Sequence, residues 1–117
     1  MNRTRNKFYA VLSEAVQEGL DVFSPSISQV VLFYVRKNAS IPLNHRFIDP
    51  KTLEKNLEKI FGFGAKVIEK KILEVLYLKL QAPLEVIEDF RFSEEVEKAQ
   101  KLFDSTISVA ETYARPR

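Results

Sequence analysis

The stretch Gly62-Phe63-Gly64-Ala65-Lys66 is where this chain could most readily do chemistry. Glycines ahead of a helix can turn free backbone amides toward a phosphate, and Lys66 could add a charge. A nucleotide-binding loop needs a longer spacing and a Lys-Ser/Thr ending. A dinucleotide fingerprint needs a preceding strand and a third glycine, where Val67 stands. A tight helix–helix turn accounts for the same residues without a ligand and is the preferred reading.

Other candidate groups are similarly balanced. Lys51, Lys55 and Lys59 recur every fourth residue, and Lys66, Lys70 and Lys71 follow the glycines. Residues 50–81 could thus form a helix-turn-helix-like unit on DNA, with Lys55, Lys59, Lys66 and Lys70 as phosphate contacts, helped by a basic arm over residues 1–6 carrying Arg3 and Arg5. Against this, Glu54, Glu58, Glu69 and Glu74 are interleaved with the lysines, and Lys55–Glu58 and Lys70–Glu74 have surface-pair spacing. Gln81 is the first group after the glycines suited to a base edge.

His45, the single histidine, has Asp49 nearby but no nucleophile to activate. The acidic run Glu85, Glu88, Asp89, Glu94, Glu95 and Glu97 has no histidine beside it. Without cysteine there is no thiolate nucleophile or thiolate metal site. No cofactor, metal site or catalytic residue is expected, and a non-enzymatic role is preferred.

The elements that must position these residues read as helices. From Lys7 to Phe23, the residues Phe8, Leu12, Ala15, Val16, Gly19, Leu20 and Phe23 recur at helical spacing. Ser24-Pro25 opens a second helix, to about Asn38. Its apolar middle, Val30 to Val35, implies a central position or a face shared with another chain. Asp49-Pro50 starts a third helix, with Leu53, Leu57, Ile60 and Phe61 as its buried stripe, and Gly62 ends it. The fourth, from Ala65 to Leu80 or Gln81, carries Ala65, Ile68, Ile72, Val75 and Leu76; it is expected to be central and to stop at Pro83. Residues 84–92 read equally as a short helical turn or as extended chain. Ser93 is expected to cap a last helix over 93–114, with Val96, Ala99, Phe103, Ile107 and Ala110 on one face.

Together these give an all-α fold, a compact bundle of about five helices with a long C-terminal helix, in one domain spanning 1–117. The length of 117 residues and 45% hydrophobic content suit an autonomous domain. The net charge of +2 argues against broad nucleic-acid affinity. No run approaches a membrane span and no signal-peptide core is visible, so a cytoplasmic location is expected, with no membrane partner.

The phrase Gly62-Phe63-Gly64-Ala65-Lys66-Val67-Ile68-Glu69, preceded by Ile60-Phe61 and followed by Leu76-Tyr77, resembles the archaeal output-domain family named after Nitrosopumilus, the fifth of that series. Ser26 to Val30, with Leu32 and Tyr34, is similar to that family's earlier helix. The resemblance spans Ser26 to Leu80. It implies a regulatory output module of a signalling system, without catalytic residues to carry over. The resulting expectation is an interaction module, homodimeric and with an unidentified protein partner. Phe63, Phe103 and Ile107 are the candidate contacts; DNA binding is the alternative.

Overall fold

The computed structural model describes residues 3–38, 49–85 and 89–114, without the side chains of 3–6, 36, 38 and 107–114. The fold class is all-α, with no strand among the described residues. The order is α1 (Arg3–Phe23), α2 (Pro25–Asn38), α3 (Pro50–Phe61), a 3-10 turn (Gly62–Gly64), α4 (Ala65–Leu80) and α5 (Phe92–Ala114). Among the described residues no helix is long and apolar enough to cross a membrane. His45, Val86, Ile87, Glu88 and the tail after Ala114 lie outside the described residues.

Helix starts follow the local chemistry. Ser24 Oγ accepts from the Ser26 amide. Asp49 accepts from both the amide and the hydroxyl of Thr52, with Pro50 beside it in the first turn. Both satisfy amides that a helix leaves without internal partners. The first helix begins at Arg3 rather than Lys7, so Arg3 and Arg5 stand in its opening turns and not on a free arm.

Packing centres on α4, which lies against α1, α3 and α5. Its buried side chains are Ala65, Ile68, Glu69, Ile72, Leu73, Leu76 and Tyr77. All of these but Glu69 join Phe8, Leu12, Ala15, Val16 and Leu20 of α1, Leu53 and Leu57 of α3, and Phe92, Val96 and Ala99 of α5 in one apolar cluster. At Gly19 a Cβ would fall 2.8 Å from Ile72 Cγ1 and 3.0 Å from its Cα. The absent side chain is therefore what lets α1 and α4 come this close.

Among the described residues α2 packs on α1 and α3 and on no other helix, so of the two positions expected for it, central or with a face shared with another chain, the central one is not found. Two expectations need correction, at Ile60 and at Ser93. Ile60 is exposed, because α3 ends as the chain turns away from the core. α4 ends at Leu80, within the expected bounds and ahead of Pro83: Gln81 turns left-handed at φ 56°, and the amides of Gln81 and Ala82 bond back to the Leu78 and Tyr77 carbonyls. Ser93 does not cap α5, which already includes Phe92; its amide and hydroxyl are bound by Glu54 of α3.

Overpacking at the Gly19 contact is expected to outweigh the ~1 kcal/mol that alanine gains in helix propensity, since it costs about 1–3 kcal/mol. Gly19→Ala should lower stability by up to about 2 kcal/mol in urea unfolding, although in an open helix the same change would raise it.

Candidate functional site at the junction of α3 and α4

The turn between α3 and α4 is held by its own backbone. Gly62 adopts φ 57°, ψ −125°, and its amide bonds to the Glu58 carbonyl. The φ is positive as expected after a helix, but the ψ is not left-handed helical; this corner is open to glycine and costly for other residues. The Ala65 amide bonds back to Gly62 and Phe63. Phe63 is thereby presented with 101% of its reference surface exposed. Ile60 and Val67, the latter 62% exposed, flank it in sequence on either side of the turn. A cavity of ≈ 310 Å³ lies alongside, lined by Glu58, Gly62, Phe63, Ala65 and Lys66.

Lys66 is not free for a phosphate. Its ammonium donates to the Phe90 carbonyl and lies 4.6 Å from the centre of the Phe90 ring. It also stands 3.7 Å from Glu69 Oε1, an ion pair longer than a hydrogen bond. The Ala65 amide is spent as well, so the phosphate-cradle reading fails at both of these groups.

Beneath the turn lies a group of carboxylates that the Lys/Glu spacing alone presents as surface charge. Glu54 is 7% exposed and Glu69 0%. Glu54 and Glu58, one turn apart on α3, come together with Glu69 of α4, each offering an oxygen within 4.8 Å of the others. Glu54 accepts from the Ser93 amide at 3.2 Å and from its hydroxyl at 3.3 Å, pinning the start of α5. Neither oxygen of Glu69 has a hydrogen-bond partner among the described residues. Burial pushes its carboxyl up to about 7, opposed by the Lys66 ammonium and reinforced by Glu54 and Glu58. A signal for this was present in the sequence: Glu69 follows Ala65 by four residues and precedes Ile72 by three, so it occupies the core stripe of α4.

The remaining candidates are scattered. Lys55, Lys59 and Lys70 are exposed, and Glu74 pairs with Lys71 at 3.0 Å. The side chains of Arg3, Arg5 and Ile107 lie outside the described residues. Phe103 is not an open contact: half-buried, it packs 5.7 Å from the Phe8 ring. The apolar surface open to solvent lies instead on Val22 and Phe23 at the end of α1, on Val30, Phe33 and Tyr34 of α2, around Phe63, and on Leu78 and Leu102. A second, shallower groove of ≈ 590 Å³ runs between the end of α4 and α5; it includes Tyr77, whose hydroxyl donates to the Glu95 carbonyl.

No family model matches this chain, and neither a curated protein nor a solved structure matches it.

The raised Glu69 pKa fixes the sign of a pH effect. Folding favours the protonated acid, so its contribution is complete below the ordinary value of 4.5 and is lost as pH rises through about 7. With EDTA present, thermal unfolding should show stability falling from about pH 5 to about pH 8, by at most about 3 kcal/mol from this group. Glu69→Gln, which cannot ionise, should flatten that slope.

Proposed function

We propose that this chain is a non-enzymatic interaction module that works through exposed apolar helix faces. The observation that carries the reading is Phe63. A fully solvated aromatic ring held on a hydrogen-bonded, glycine-bounded turn is pre-organised for a partner's pocket. Burying a side chain of this size is worth about 1.5–3 kcal/mol, and little conformational freedom remains to be lost from the backbone that carries it.

The row Val30, Phe33, Tyr34 and Lys37 on α2 supports a homodimer. These residues recur at three- and four-residue spacing, with Phe33 60% exposed and the Lys37 ammonium 5.9 Å from the centre of its ring. An apolar stripe with a cationic edge suits a helix face packed against a copy of itself. The resemblance of Ser26–Leu80 to archaeal output domains would make the module the output of a signalling system. The absence of cysteine fits a reducing, cytoplasmic setting.

A second reading has one observation in its favour. Two of the four glutamates interleaved with the lysines, Glu54 and Glu69, are buried. The outer side of α3 and α4 is therefore more basic than the sequence suggests, with Lys51, Lys55, Lys59 and Lys70 exposed. Against DNA reading, α4 is buried or half-buried over most of its length and exposes a narrow strip containing Val67, Lys70, Glu74 and Leu78, with Lys79 beside its end. A helix that enters a groove needs a broader free face.

Sedimentation equilibrium should report a dimer for the wild type and a monomer for Phe33→Asp. Phe63→Ala touches no packed neighbour, so it should alter stability by less than about 0.5 kcal/mol while weakening a partner complex by about 2 kcal/mol. Anisotropy titrations with random-sequence duplex DNA should show no binding even at low salt. Micromolar binding that weakens with salt and is lost in Lys55→Glu and Lys59→Glu would transfer the function to the second reading.

A further inference from the structure

The carboxylates beneath the Phe63 turn form a more specific arrangement than a solvated acidic face. Glu54 and Glu58 project from successive turns of α3 toward Glu69 of α4, with one oxygen from each within 4.8 Å of the others. Glu69 is wholly buried, and both its oxygens lack a hydrogen-bond partner among the described residues. A buried carboxylate with unused lone pairs is costly unless a cation or a proton meets it.

Lys66 meets that need only in part. It stands 3.7 Å from one Glu69 oxygen and donates instead to the Phe90 carbonyl. Three carboxylates against one ammonium leave two negative charges in excess when all are ionised, which a divalent ion would balance. We propose that Glu54, Glu58 and Glu69 bind one hard divalent cation at the junction of α3 and α4.

The ligand chemistry selects the class of ion. Carboxylate oxygens alone suit Mg²⁺, Mn²⁺ or Ca²⁺, and thiolate ligands are excluded because the chain has no cysteine. Glu58 is exposed and lines the cavity beside Phe63, so it gives the ion a route in and leaves coordination positions for water. Glu54 has lone pairs beyond those used by Ser93, so it can hold the start of α5 and the ion together. A bound ion would join α3 to α4 and, through Glu54, to α5.

The test uses full-length protein freed of metal with EDTA and exchanged into buffer near neutral pH. Mn²⁺ is titrated in and its free fraction read by electron paramagnetic resonance, with Mg²⁺ and Ca²⁺ as competitors. One Mn²⁺ per chain is expected, with Kd below about 1 mM, and saturating ion should raise the thermal midpoint. Glu58→Gln, altered at the exposed end, should weaken binding at least about tenfold, the loss of one charged ligand being worth more than 1.4 kcal/mol. Glu69→Gln should weaken it at least as much, and the exposed control Glu74→Gln should leave it unchanged. If Glu69→Gln does not fold, Glu58→Gln carries the test alone. Absence of saturable binding below about 1 mM, or equal affinity in wild type and Glu58→Gln, would overturn the proposal and leave the cluster as a proton-holding site.

Discussion

The approach of α1 to α4 at Gly19 is the constraint on which the arrangement rests. With a hydrogen in place of a side chain, the α1 backbone comes close enough to Ile72 for the apolar stripes of both helices to close over one another. Phe8, Leu12, Val16 and Leu20 then share a core with Ile68, Ile72 and Leu76. Because α4 also packs against α3 and α5, its seat on α1 influences where both of them stand. A glycine that weakens the helix locally thus permits the close packing of α1 on α4, with a net gain set by packing rather than propensity.

On this scaffold a polar seam joins α3, α4 and α5. Glu54 supplies acceptors to Ser93, a role in which a carboxylate is favoured twice: by the unpaired amides of a helix start and by the helix dipole. Lys66 seals the same seam from α4 by reaching the Phe90 carbonyl and covering its ring. Glu69 is the exception. It is buried with its oxygens unbonded and its pKa raised, in a place where an apolar residue would pack without penalty. The cost falls on stability, which makes Glu69 the residue whose presence most needs a functional reason.

The outer surface is shaped by what the core leaves over. α2 buries Val31, Leu32 and Val35 on α1 and α3 and leaves Val30, Phe33 and Tyr34 in solvent. The Gly62–Gly64 turn does the same for Phe63. Both patches arise because apolar residues occupy positions on more than one side of a short element, while neighbours within the chain cover only one side.

The sequence by itself determined the helical class, the element starts at Ser24-Pro25 and Asp49-Pro50, the glycine stop after Phe61, and most of the buried stripes on α1, α4 and α5. These depend on local chemistry: caps, proline geometry and hydrophobic period act within a few residues and leave a pattern that can be read. Tertiary structure alone decided which charges are surface charges. Glu54, Glu58 and Glu69 read as members of a mixed Lys/Glu face because linear spacing does not say which helix lies opposite. Only the packing of α3 against α4, and the arrival of α5 from the far end of the chain, buries Glu54 and Glu69, ties Lys66 to Phe90 and leaves Phe63 in solvent. The same limit explains the misplaced Ser93 cap. Its partner stands 39 residues away on α3, beyond the reach of any local signal.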